Sequence, residues 1–481
     1  MNEETKQILL RELKPWLLKD TQGRPLSPIS SLHGVFNEGL AFKPYFDMIE
    51  NMIKQIVGTD NILDGEFNYN DIVRIIDELL LELNNSEVVI TPSLPPTNQR
   101  DNNRFYLECT EPPKGKGFIR RPVGVRVNLE SGTIERLGEG IGKSLDDFYN
   151  ILPWAARRRC HVDSNGTVVR YFGDVGWDSS DKTYDTMVEI PMFYYKRIPI
   201  KQLDGDLLIW EDWVSYDAVD GYYVHPAFIK NEKIYDKIYV GAYETSVQNS
   251  VYMSVPDNTP VKTTLTTHIQ KIKQKGTQWN NHNYDYIAME QMLLLISTAS
   301  FNSQSSIGTG IVSGSNNTGS TKDMGLRCGS GGVNGSSGVN FFGVENLWAN
   351  IWKIISGVSI DTATHTLRIG KDYDESSLMY NTNMIIPTIT TADSYFMCSV
   401  QYSENFDYLY IQKVIGRTNN ILRESSDYYY YDRNPLVLVG GLNVDNAKCG
   451  MFSFYTSTTI ADSRCSRVIC YPGGGRPIYG E

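Results

Sequence analysis

The stretch FFGVENLWANIWKIISGV, residues 341–358, constrains this chain more than any other. Trp348 and Trp352 stand four apart, as do Asn346 and Asn350. On a helix, positions i and i+4 share a face. Trp348, Ile351, Trp352 and Ile355 then form one apolar stripe, and Gly357 stops it. Burying an indole removes roughly 150–250 Å² from water, a gross gain of several kcal/mol at about 25 cal/mol/Å². The spacing therefore predicts a buried core helix over 345–356 that acts as scaffold. The competing reading is an aromatic platform for sugars.

The chain has 481 residues, 41% of them hydrophobic, enough for two or three compact domains. Its net charge of −11 and the lack of a Lys/Arg block argue against nucleic acid as a main partner. The opening MNEETKQILLRELKPW lacks the basic start and apolar centre of a signal peptide. No run of eighteen apolar residues predicts a membrane span. Synthesis and folding in a cytoplasm are expected. The seven cysteines include no CxxC pair, which predicts buried free thiols rather than a disulfide framework or a zinc ribbon.

Residues 1–90 read as a helical segment. Phe46, Ile49, Ile53 and Ile56 follow helical spacing, as do Ile72, Ile76, Leu79 and Leu83, with Asn70 as cap. Such helices either pack on each other or associate between copies of the chain. Residues 91–116 read as a Pro-rich linker and domain boundary. From 117 to 475 the pattern turns to short strands, with turns at Ser131-Gly132 and Asn165-Gly166. YDYIAMEQMLLLIS is nearly apolar all round and predicts a buried helix. Residues 308–340, rich in Gly, Ser and Asn, predict a long exposed loop or mobile insertion.

Several segments occur in a particular order: MVEIPMFYYKR, GYYVHPAF, IYVGAYE, YDYIAMEQMLLLIS, FFGVENLWANIWKIISG, a Gly-Gly and SRCSRVIC. The series resembles the C-type-lectin-like domain of tailed-phage fibre and receptor-binding proteins. It also resembles the variable proteins diversified by retroelements and the formylglycine-generating-enzyme superfamily. The resemblance implies an α+β fold, with small antiparallel sheets and buried helices, preceded by the helical N-terminal segment. In that fold the aromatic segment supports a small sheet whose loops carry binding.

Catalytic readings find little support. A formylglycine-generating site needs two nearby cysteines after the Gly-Gly turn, whereas Gly440-Gly441 is followed by Cys449 and then only by Cys465. The six histidines are scattered, without an i, i+4 pair for a metal. Lectin calcium triplets are absent, although a structural calcium on acids such as Asp427 and Asp432 stays open. Flanked by Tyr222, Tyr223 and Phe228, His225 reads as a packed core histidine, and Arg157, Arg158 and Arg159 read as a solvated or interface cluster. The expectation is no enzyme, no cofactor and no metal.

Binding is expected on the last loops, through Tyr428, Tyr429, Tyr430, Asp432, Asn443, Asp445, Asn446 and Tyr455. Alternation sends Phe452 and Phe454 to one face and Tyr455 to the other. The 308–340 segment is a second candidate surface. The resemblance implies a bacteriophage virion fibre or receptor-binding protein. Residues 1–90 would dock to other virion proteins, the chain would trimerise, and the head would meet a host-surface glycan or protein, weak contacts adding up through multivalency. A virion decoration or connector protein and a degenerate enzyme are the alternatives.

Overall fold

The computed structural model describes residues 118–314, 317–370, 379–394, 396–415, 428–431, 435–445, 449–457 and 464–478, together with the strands Glu87–Thr91 and Arg104–Glu108. The chain divides into two units, Met1–Phe118 and Ile119–Glu481. Of the first, the two strands pair in parallel, Glu87 with Arg104 through Thr91 with Glu108. The helices expected within 1–90 lie outside the described residues.

The second unit corrects the expected class. Its framework is mostly strand, 39% against 13% helix, arranged in small sheets, so the α+β expectation fails. A hairpin sheet centres on Asp206–Ser215, which pairs with Tyr194–Leu203 on one side and with Val123–Asn128 on the other. Thr133–Gly138 extends it beyond Val123–Asn128 across the Ser131-Gly132 turn. Val123, Val125 and Val127 point to the core while Arg126 between them is exposed, the alternation of a half-buried sheet.

A central six-stranded antiparallel sheet runs in the order Trp279–Asn281, Val468–Cys470, Lys237–Gly241, Asp185–Pro191, Arg158–Val162, Val168–Tyr171. The hairpin at Asn165-Gly166 joins its last two strands, with Gly166 at φ +79°. A third, terminal sheet is mixed and contains Tyr428–Tyr431, Phe454–Ser457, Leu436–Val439, Trp352–Ile354 and Arg464–Cys465. Two of its pairings are parallel, Tyr428–Tyr431 with Phe454–Ser457 and Trp352–Ile354 with Arg464–Cys465.

The helix Tyr284–Thr298 forms as the apolar run predicts. The Asn283 side chain caps it by accepting from Tyr286 N at 3.0 Å, and it is buried on all sides within the main core. The segment 345–356 does not form a helix. Val344–Glu345 and Trp352–Ile354 are strands, and between them Asn346, Ala349 and Asn350 adopt φ of 53°, 61° and 59°. Asparagine enters the left-handed region at low cost, so the two asparagines that looked like helix-internal residues instead turn the chain. The scaffold reading of the indoles holds. Trp348 is fully buried in the main core, its Nε1 donating to Gly308 O at 2.9 Å, and Trp352 lies in a separate cluster with Leu265, Ile269, Ile354 and Leu438.

The arginine cluster is corrected as well. Arg157 and Arg159 are buried, Arg157 paired with Glu290 at 2.8 Å and Arg159 donating to Gly343 O and Thr321 O at 2.7 Å each. Only Arg158 is part-exposed. The Gly/Ser/Asn segment is partly buried, because Glu345 accepts from Gly319 N, Thr321 N and Thr321 Oγ1 at 2.7–2.8 Å. A buried carboxylate thus fastens a segment that has little apolar surface of its own.

Candidate functional site

The candidate face belongs to the terminal sheet. Alternation turns Lys353, Val437, Val439 and Phe454 to one side, where the last three join the main core. It turns Trp352, Ile354, Leu436, Leu438 and Tyr455 to the other. There the helix Leu265–Lys273 covers Trp352 and Ile354 with Leu265 and Ile269, leaving Leu436, Leu442 and Tyr455 only partly buried at the rim. The Tyr455 ring stacks on the Trp352 indole, centroids 5.1 Å apart and planes at 28°. One face of Tyr455 is thereby fixed, which removes rotamer freedom that a binding partner would otherwise have to freeze.

Beside this stack lies the turn Leu442–Asp445. Leu442 N donates to Asp445 Oδ2 at 2.7 Å, Asp445 N donates to Leu442 O at 2.9 Å, and Val444 at the tip is 67% exposed. Asn443 N donates to Asn350 O at 3.0 Å, tying the turn to the left-handed segment. Gly440 and Gly441, at φ +91° and +84°, allow this approach: a Cβ on Gly440 would meet Leu347 O at 2.8 Å, and one on Gly441 would meet Cys449 Sγ at 2.6 Å.

The predicted residues thus fall into three groups. Tyr455 and the turn that carries Asn443 and Asp445 border one apolar cluster, Tyr455 directly and the turn through Leu442. Tyr428, Tyr429 and Tyr430 form a strand in the same sheet, with Tyr430 the register partner of Tyr455 and Tyr429 that of Phe454. Asp432 and Asn446 lie outside the described residues, as does Asp427 of the calcium reading. Phe452 and Phe454 go to the core as alternation requires.

Beneath the face runs a network that sequence reasoning missed. Glu244 and Lys353 form a buried ion pair at 3.1 Å, with side chains 1% and 2% exposed. Glu244 also accepts from the amides of Asn346 and Asn350. Lys353 Nζ donates to Ala349 O at 2.5 Å and Ile351 O at 2.7 Å. Arg467 donates to Gly241 O at 2.7 Å and to Glu345 O at 2.5 Å. Burial pushes the Lys353 ammonium down from its usual range, with Glu244 acting in the opposite direction. One signal was available: Glu345 and Lys353 are the only charges in 341–358, and a charge in an apolar run that folds inward must find a partner.

Nothing in this network resembles an activated nucleophile. Burial pushes the Cys328 and Cys470 thiols up to about 12, and Cys465 higher still. Cys449 donates to Leu442 O at 3.1 Å beneath the turn, and Cys465 to Thr245 O at 3.2 Å. His225 is fully buried, accepts from Ala227 N at 3.2 Å and packs against Phe193, Tyr195 and Tyr408, as a core histidine would. Among the described residues no three His, Cys, Asp or Glu side chains converge as metal ligands, and no helix is long and apolar enough to cross a membrane. No protein-family model matches the chain, and no curated protein matches it.

Proposed function

We propose that the chain is a non-catalytic binding protein whose terminal-sheet face, built from Tyr455 and the Asn443–Asp445 turn, contacts a host-surface glycan or protein. The observation that carries this reading is the Trp352–Tyr455 stack, which sets a part-exposed aromatic ring beside a polar turn. An aromatic face offers area at low entropic cost, and neighbouring amide and carboxylate groups supply direction. The ionisable groups below are spent on internal pairing, which supports a role in contact rather than in reaction. In its particular form the proposal is a bacteriophage virion protein, docked to other virion proteins through 1–90 and acting as a homotrimer, so that several weak contacts combine.

The test is attachment of the fluorescently labelled full chain to a panel of bacterial strains. Tyr455→Ala should lower attachment about tenfold, the scale of a truncated aromatic hot spot, with the melting temperature close to that of the parent. Attachment that survives the substitution unchanged refutes the assignment of this face. A chain that ignores every strain yet binds purified particles points instead to a decoration or connector role.

A further inference from the structure

The outer side of the hairpin sheet carries a second aromatic site. Along Asp206–Ser215, the buried residues Trp210, Asp212 and Val214 alternate with part-exposed Ile209, Glu211 and Trp213, which face away from the core. Trp213 is the register partner of Gly124 on one side and of Lys196 on the other. A Cβ on Gly124 would lie 2.6 Å from Trp213 Cδ2, and one on Gly138 would lie 2.9 Å from Cζ3. Two adjacent strands thus leave out their side chains where the part-exposed indole rests.

The rim of this ring is polar and already held in place. Trp213 Nε1 donates to Glu211 Oε2 at 2.8 Å, and Arg126 Nε donates to Glu211 Oε1 at 3.0 Å. Lys196 Nζ stands 5.7 Å from the centre of the part-exposed Tyr222 ring. The indole thus bonds a carboxylate that a guanidinium also holds, and its neighbour in register, Lys196, carries an ammonium set over a phenol.

The geometry points to a glycan subsite in which a pyranose ring packs on Trp213. The C–H groups of one sugar face carry slight positive charge and suit the negative face of the indole. The sugar hydroxyls can donate to Glu211 and accept from Arg126 and Lys196 through charge-assisted hydrogen bonds. The occupant is argued from charge and size. A phosphate backbone would meet the Glu211 carboxylate on a chain of net charge −11. A lipid or apolar helix would need a wider apolar area than one ring bordered by charges. The site lies on a different sheet from Tyr455 and does not depend on that face.

The experiment applies the full chain to a printed array of bacterial capsular and lipopolysaccharide glycans. The parent should bind at least one pyranose glycan, and Trp213→Ala should weaken that binding about tenfold or more. Because the indole also covers Gly124, Lys196→Ala and Tyr222→Ala provide a second arm that leaves the packing intact, and each should weaken binding several-fold. Binding unchanged in the well-folded Trp213→Ala protein overturns the assignment, as does unchanged binding in both rim variants. A parent that binds no glycan on the array overturns it too. Cell attachment measured in parallel keeps the two sites distinct. Array binding that falls in Tyr455→Ala and not in Trp213→Ala overturns the Trp213 subsite, while attachment that falls in Trp213→Ala and not in Tyr455→Ala counts against the terminal-sheet face and for the subsite.

Discussion

Lys353→Met tests the framework beneath the terminal-sheet face. The substitution keeps most of the side-chain volume and removes only the ammonium. Three partners lose it: the Glu244 carboxylate at 3.1 Å, Ala349 O at 2.5 Å and Ile351 O at 2.7 Å. Breaking a buried pair by removing one member costs about 3–5 kcal/mol, because a desolvated charge remains. Each orphaned carbonyl would add about 1–3 kcal/mol if independent, but the three contacts share one group and do not sum. A loss of about 3 kcal/mol is therefore the floor, a large fraction of the roughly 5–15 kcal/mol that holds a domain together. Lys353→Met/Glu244→Gln should recover at least about 1 kcal/mol relative to the single variant. Urea unfolding followed by tryptophan fluorescence at pH 7 measures both variants. A single variant within about 1 kcal/mol of the parent refutes the reasoning.

Two further outcomes follow from the same structure. Trp348→Ala opens a cavity in the main core and orphans Gly308 O, so it should cost about 3–5 kcal/mol in the same urea assay, while Trp348→Phe should cost clearly less. Burial, and then the Arg197 charge, push His225 down to about 3. Its neutral form is the one the fold accepts, so its contribution is complete above the unfolded value near 6.5 and is lost as pH falls toward about 3. His225→Asn keeps an acceptor for Ala227 N and should remove one proton from the slope of stability against pH over that window, as read from melting temperatures in a pH series.

Local signals were legible where a short-range rule decides the conformation. Ser131-Gly132 and Asn165-Gly166 turn as their dipeptides dictate, and the helix after Asn283 is buried all round because its few polar residues are scattered and leave no polar side. The aromatic segment misled because i, i+4 spacing measures distance along the chain and cannot tell one helical face from two clusters served by a reversing loop. Trp348 and Trp352 both bury, but in different clusters. What redirects the segment is non-local. Glu244 lies about a hundred positions before the asparagines it holds, and no spacing rule joins them. Alternation did place Tyr455 opposite Phe454, whereas the partner that fixes its ring, Trp352, could be found only in three dimensions.

The strand Val468–Cys470 has a consequence for synthesis. It sits inside the central sheet, between Trp279–Asn281 and Lys237–Gly241, and is antiparallel to both. A nascent polypeptide that has not yet reached residue 468 has an open seam there. It can form the early hairpins as they emerge, but the edges of two strands stay unzipped until residues 468–470 emerge from the ribosome. Closure of this seam waits for that one strand, and products cut short before residue 468 should be prey for proteases and strand-seeking aggregates rather than functional fragments.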